Sequence, residues 1–153
     1  MAENEKNTDV QKIKYGNFSD TYYHTLDTKK RLFIPSKLRE ELGESFRLYC
    51  PFDDNCIYVY NENEFEHISK QVQNTRNRDY QRLFYNRVTK AETDKQGRIT
   101  LKTEFCEFAG LKKEVTIAGV GRRLELWDSE KYNEAISRAE TISTTFDTSD
   151  IDF

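Results

Sequence analysis

Apolar positions along the chain fall into short alternating runs, each followed by a stretch with helical spacing, and this order occurs twice. Residues 22–26 read as a strand, and after Asp27-Thr28-Lys29-Lys30-Arg31 a second strand carries Leu32 and Ile34 on one face. A short helix comes next, with Ser36 as the expected N-cap and Gly43 as the stop. Two more strands are expected over 46–50 and 56–60. Asn61 then caps a helix whose apolar stripe is Phe65, Ile68 and Val72. The second half repeats the order: a weak strand at 91–93, Asp94 to Arg98, then Ile99 and Leu101. A helix between Thr103 and Gly110, strands over 115–118 and 123–127, and a helix capped by Asp128 complete it, the last with Tyr132, Ile136 and Ala139 as its stripe.

Shifting the chain by 67 residues without a gap places Asp27 on Asp94, Arg31 on Arg98, Glu40 on Glu107 and Gly43 on Gly110. Core positions obey the same shift, Leu38 falling on Phe105, Leu48 on Val115, Ile57 on Leu124, Val59 on Leu126 and Tyr60 on Trp127. The chain therefore reads as two copies of one unit. Between them lies an Arg-rich stretch with Tyr80, Leu83, Phe84 and Tyr85, read as a further helix with one aromatic face. A unit of about 50 residues without metal or disulfide has too small a core to stand alone. Both copies are expected to build one pseudo-symmetric, barrel-like α+β domain with helices outside it, the geometry of a homodimer within one chain.

Composition changes this picture little. The 153 residues are 36% hydrophobic and 33% charged, and ten Phe, nine Tyr and one Trp supply core material. No apolar run approaches a membrane span, and the acidic, Asn-rich start does not resemble a secretory leader, so a cytoplasmic protein is expected. Cys50, Cys56 and Cys106 form no C-x-x-C pair and read as small buried hydrophobes, with no metal site or disulfide expected. Charge is unevenly placed. The whole chain carries −3, but the segment from residue 140 onward holds Glu140, Asp147, Asp150 and Asp152 and no base. The remainder is therefore +1, with basic blocks at 27–39 and 70–90.

The candidate chemistry sits in the two Asp-x-x-x-Arg segments. Asp27 and Asp94 end a strand, where a carboxylate accepts backbone N–H groups and orients Arg31 or Arg98 four residues on. Lys29, Lys30, Lys95 and Gln96 lie between, on what reads as a rigid hairpin tip. Lys and Arg neutralise phosphates, and Arg or Lys donates to guanine in the major groove, which admits a two-stranded ribbon. Lys37, Arg39 and Lys102 are secondary candidates for DNA contact. A surface hairpin with a weak ion pair remains the plain alternative, because a duplicated fold duplicates its turns in any case.

Residues 23–40 (Tyr23-His24-Thr25-Leu26-Asp27 through Leu38-Arg39-Glu40) resemble the opening of MraZ proteins, and Asp94-Lys95-Gln96-Gly97-Arg98-Ile99 resembles their second box. Ala109 to Val115, Gly119 and Leu124-Glu125-Leu126-Trp127-Asp128 are similar to the family's second half. The resemblance implies a double-split β-barrel of the SpoVT/AbrB-like type, made from two tandem pseudo-symmetric repeats with peripheral helices. It implies a closed homo-oligomeric ring on promoter direct repeats, regulating, usually repressing, the division and cell-wall gene cluster from the nucleoid. Arg31 and Arg98 would be the DNA-contacting arginines. The expected layout is a disordered extension over 1–15, repeats over 16–72 and 91–139, a helical connector over 73–90 and a disordered acidic tail over 140–153. Two positions depart from the family pattern: Lys30 replaces the turn glycine, and Lys102 replaces the proline that matches Pro35. If the backbone at residue 30 needs a positive φ, Lys30 is strained; otherwise that turn has another shape.

An enzyme is the first rival reading. No nucleophile elbow, P-loop or metal-protease motif occurs, His24 and His67 have no partner at ligand spacing, and no catalytic residue, cofactor or small-molecule substrate is expected. A ring-forming assembly protein that lost DNA recognition is the second, favoured by the pI of about 5.5. An AbrB-type regulator or antitoxin with another target is the third.

Overall fold

A computed structural model describes residues 14–153; the expected disordered extension lies outside the described residues except for its last two positions. Those two are engaged, Lys14 pairing with Glu41 at 3.4 Å and the Tyr15 ring lying under Arg122.

The fold is α+β, as expected. Its strands are β1 (Thr21–Thr25), β2 (Arg31–Phe33), β3 (Ser45–Tyr49), β4 (Ile57–Asn61), β5 (Val88–Glu92), β6 (Arg98–Thr100), β7 (Glu114–Val120) and β8 (Arg123–Asp128). Five helices are described: α1 (Ser36–Leu42), α2 (Glu62–Asn74), α3 (Arg78–Asn86), α4 (Thr103–Ala109) and α5 (Ser129–Thr141). Six strands form one antiparallel sheet in the order β1-β7-β8-β4-β3-β5, and β2 pairs with β6 in a separate ribbon. Hydrogen bonding closes no barrel among these strands.

The strand order reads the same from either end once the copies are exchanged, β1 for β5, β7 for β3 and β8 for β4. A pseudo-two-fold axis therefore passes between β4 and β8 and through the ribbon. Register confirms it: Tyr58 faces Glu125 and Leu32 faces Ile99, both pairs 67 residues apart. The outer strands are exchanged, β1 pairing with β7 of the second copy and β5 with β3 of the first. Neither unit completes a sheet alone, which is the physical content of a 50-residue unit without enough core.

Register also corrects the ungapped repeat. Phe46 pairs with Asn61 and Val115 with Asp128, and those partners are the two helix caps. In β3 and β7 the equivalent residues are thus Phe46 with Val115 and Leu48 with Ile117, not Leu48 with Val115. The second copy inserts two residues after α4, where Gly110 takes a left-handed conformation (φ 62°) and Leu111 N–H bonds back to Cys106 at 2.9 Å. Gly43 ends α1 differently (φ 83°, ψ −174°) and passes directly into β3.

Strand alternation sorts side chains onto two faces. Phe46, Leu48, Ile57, Val59, Val115, Ile117, Leu124 and Leu126 meet Leu32, Ile34, Ile99 and Leu101 of the ribbon and Leu38 and Phe105 of α1 and α4. All three cysteines are free; they are buried, as expected, and burial pushes the Cys50 thiol up to about 12 and raises the other two. On the opposite face Tyr49, Tyr60, Phe65, Val72 and Phe84 make a smaller cluster under α2 and α3.

Several local expectations change. Asn61 and Asp128 do cap α2 and α5, accepting from Glu64 N–H at 2.9 Å and Lys131 N–H at 3.3 Å. Ser36 and Thr103 do not cap α1 and α4; the N-cap positions fall on Pro35 and Lys102, without a side-chain bond. The Arg-rich helix buries only Phe84, leaving Tyr80, Leu83 and Tyr85 exposed, and β5 begins at Val88 because it pairs with β3 from Tyr49 onward. The expected stripe on α5 is only partly covered: Tyr132, edge-on to the Trp127 ring with centroids 6.0 Å apart, and Ala139 are half-buried, Ile136 is exposed, and no residue of α5 is fully buried. After α5 the chain makes a single 3-10 turn (Ser143–Thr145) and stays exposed to residue 153.

Candidate nucleic-acid interface

Both Asp-x-x-x-Arg segments fold into the same turn. Asp27 Oδ1 accepts from the backbone N–H of Lys29 (2.9 Å) and Arg31 (2.8 Å), and Oδ2 accepts from Arg31 Nε at 2.7 Å. Asp94 does the same with Gln96 (2.9 Å), Arg98 (2.9 Å) and Arg98 Nε (3.0 Å). The backbone N–H of Arg31 and Arg98 is the leading cause that holds each carboxyl below its usual range, with the guanidinium adding to it. Because only Nε is engaged, the Nη groups of Arg31 and Arg98 have no acceptor among the described residues. A fixed guanidinium with its outer edge free is arranged to donate to an external anion or base edge.

One expectation needs correction. The turns are not tips of hairpins between paired strands, since β1 pairs with β7 and not with β2. The two-stranded element is the β2–β6 ribbon, one strand from each copy. Arg31 faces Thr100 and Arg98 faces Phe33, so the two arginines are diagonal neighbours on the outer face, with Cα atoms about 7–8 Å apart. Leu32 and Ile99 point inward and are buried. The turns lie at opposite ends of the ribbon, and each carbonyl at the fourth turn position accepts from the other copy: Ile34 N–H to Gly97 O and Leu101 N–H to Lys30 O, both 2.8 Å. Lys29, Lys95 and Gln96 are exposed at the two ends.

Lys30 adopts φ 60° and Gly97 φ 78°, so lysine occupies the left-handed position that glycine fills in the second copy and the turn keeps its shape. The neighbours of each turn explain how a long side chain fits. Gly97 is covered by Arg39 of α1: a Cβ there would lie 2.9 Å from Arg39 Cζ. Arg39 donates Nε to Ile34 O at 2.9 Å and lies over the Phe33 ring. The residue equivalent to Arg39 in α4 is Cys106, and Lys30 lies in the room this leaves, its Nζ bonding Thr103 Oγ1 at 3.0 Å. Each turn–helix contact thus carries one long basic side chain, supplied by the turn in one copy and by the helix in the other. Lys37 and Lys102 are exposed near the start of α1 and α4. Sequence reasoning placed Arg39 among secondary DNA contacts; the structure adds that it buttresses the second turn, a role with no local signal because Gly97 is 58 residues away.

Asp54, Cys56 and Glu125 are the only described residues clustered closely enough to hold a metal, on the face opposite the ribbon. Tyr58 OH donates to Asp54 at 2.7 Å, while Trp127 Nε1 (2.9 Å) and Arg123 Nε (2.9 Å) donate to Glu125. Those donors already occupy the carboxylates.

Comparison with known proteins bears on the same elements. The family described as "MraZ protein, putative antitoxin-like" matches twice, over residues 17–87 and 84–153. The chain is 39% identical over 128 residues to the transcriptional regulator MraZ of Micrococcus luteus, covering 80% of this chain and 89% of that protein. It is equally similar to the protein of that name from Carboxydothermus hydrogenoformans, 39% over 128 residues with the same coverage. The Clostridium acetobutylicum protein of that name is 38% identical over 126 residues, covering 77% and 88%.

Proposed function

This chain belongs to the MraZ family, and from that premise we propose that it is a transcriptional regulator that binds promoter DNA through the outer face of the β2–β6 ribbon. The observation that carries this reading is the pair of carboxylate-locked arginines. Asp27 and Asp94 fix Arg31 and Arg98 by the same three bonds each, and leave their Nη groups without an acceptor among the described residues. Such a fork suits bidentate donation to guanine O6 and N7, while Lys29, Lys95 and Gln96 at the ends suit phosphate. Lys30 and Arg39 lend positive charge but spend donors inside the protein. We read the eight strands as the double-split barrel of the SpoVT/AbrB-like group, on the support of the exchanged outer strands. We further read the chain as a cytoplasmic, nucleoid-associated closed ring of copies, repressing the division and cell-wall gene cluster through spaced direct repeats. No helix among the described residues is long and apolar enough to cross a membrane.

The test is a footprint and salt-titrated shift assay on the DNA upstream of the gene encoding this chain. Regularly spaced protected boxes are expected. Arg31→Ala and Arg98→Ala should each weaken specific binding by about 10- to 100-fold. Binding that survives both substitutions would overturn the ribbon assignment, and a ring without DNA affinity would favour the assembly-protein reading.

A further inference from the structure

The two copies diverge after α2 and α5, their capped helices, and that difference points to a contact between chains. In the first copy α3 folds back on α2, and its Phe84 stacks on Phe65 with centroids 6.2 Å apart. In the second copy the equivalent stretch is the acidic segment after α5, which folds back on nothing. The Ile136 side chain of α5 stays 41% exposed, and Phe146, Ile151 and Phe153 are 51%, 55% and 99% exposed. Three of these apolar side chains alternate with Asp147, Asp150 and Asp152, so the segment presents apolar and acidic groups together.

The outer side of α3 offers the complement. An open groove of about 560 Å³ is lined by Gln73, Arg78, Gln81, Arg82 and Tyr85. Its wall is held in place, because Tyr85 OH bonds Ser69 Oγ and accepts from Gln73 Nε2 at 3.2 Å. Gln81 Nε2 donates to Gln73 O at 3.1 Å. Arg82 has only an exposed contact of 3.3 Å to Asp79, and Arg78 has no acid partner among the described residues. Tyr80 and Leu83, both exposed, extend the apolar surface beside it.

We propose that residues 146–153 of one copy dock in the Arg78–Arg82–Tyr85 groove of a second copy, Asp147, Asp150 and Asp152 facing the arginines and Phe146, Ile151 or Phe153 entering against Tyr85. In the single chain the tail continues from α5, which packs on β7 and β8, whereas α3 packs on α2 and β5. The tail is exposed there, so the groove is filled from another molecule. The contact uses different surfaces on the two partners, and such contacts repeat head to tail until they close. This deepens the ring reading and rests on self-association of the chain.

The test uses two full-length variants, Arg78→Glu/Arg82→Glu and Asp147→Lys/Asp150→Lys/Asp152→Lys, each altered only at exposed positions. Circular dichroism should show both folded. Light scattering and sedimentation should show self-association weakened at least about tenfold in each, since like charges then face one another. Mixing the two restores complementary charge at every contact, so the mixture should assemble to the wild-type mass. If either variant alone keeps that mass, or the mixture stays dissociated, the docking proposal is overturned while the ring reading stands. A wild-type chain that is monomeric at working concentration overturns both.

Discussion

Replacing Gly97 by lysine copies into the second turn the residue that stands in the first, and the structure says the copy should fail for a nameable reason. Gly97 has φ 78°, where an L side chain costs about 1–2 kcal/mol. Lys30 carries the same cost at φ 60°, so this part is tolerable. The second part is not shared. A Cβ on Gly97 would lie 2.9 Å from Arg39 Cζ and 3.1 Å from its Nε, so the guanidinium must leave. It then loses its bond to Ile34 O and its place over Phe33, about 1–2 kcal/mol for a half-exposed charged donor. Gly97→Lys should therefore cost about 2–4 kcal/mol in all, and Arg39→Ala alone about 1–2 kcal/mol. Removing Arg39 first means that the lysine displaces nothing. The double variant should cost no more than Gly97→Lys alone, a coupling of about 1–2 kcal/mol where distant sites add within about 0.5 kcal/mol. Urea unfolding at one fixed protein concentration, comparing midpoints at equal slope, measures all three. If the double variant costs the sum of the single ones, Arg39 does not buttress the second turn.

The reciprocal change, Lys30→Gly, relieves the strained φ and restores chain entropy to the unfolded state. We expect stability within about 1 kcal/mol of wild type, and a loss of about 3 kcal/mol or more would mean that the Lys30–Thr103 contact matters beyond its exposure. Asp27 and Asp94 titrate below the ordinary aspartate value of 3.8 when folded, so their contribution is full above that value and fades as pH falls through the lowered one. An Asp27→Asn/Asp94→Asn variant should show a flatter acid limb of unfolding below about pH 4, and an unchanged limb would refute that linkage. Lys29→Ala and Lys95→Ala should weaken binding to all DNA sequences alike and lower the salt slope by about one each, read by salt titration; a change in preferred sequence would place them on bases instead. Trp127→Phe removes a donor from buried Glu125 and should cost about 1–3 kcal/mol by thermal or urea unfolding, whereas a neutral result would mean that Arg123 satisfies both oxygens.

Much of this was legible in the sequence because it is local. Alternation at Leu32 and Ile34, the caps at Asn61 and Asp128 and the turn residues Asp27 and Asp94 act over four residues or fewer, so spacing alone gives their conformation. The repeat was visible as well, since Asp27 and Arg31 recur at Asp94 and Arg98. Its ungapped form misled only in β3 and β7, where two residues inserted after Gly110 keep the apolar alternation in phase and so leave no trace in the pattern. The caps expected at Ser36 and Thr103 missed because both N-cap positions fall one residue earlier, on Pro35 and Lys102, and Thr103 Oγ1 accepts instead from Lys30 Nζ, which no sequence window contains.

The sequence by itself therefore determined the order and kind of most elements and that one unit occurs twice, while the start of β5 at Val88, inside the expected helical connector, was set by its pairing with β3. Tertiary structure alone decided how the two units meet. Backbone hydrogen bonds at strand edges carry no label of origin, so β1 could pair within its copy or across it, and burial of both half-cores together selects the exchange. That exchange puts Arg31 and Arg98 on one ribbon face, sets Arg39 against Gly97 and lets Lys30 stand where a glycine was expected.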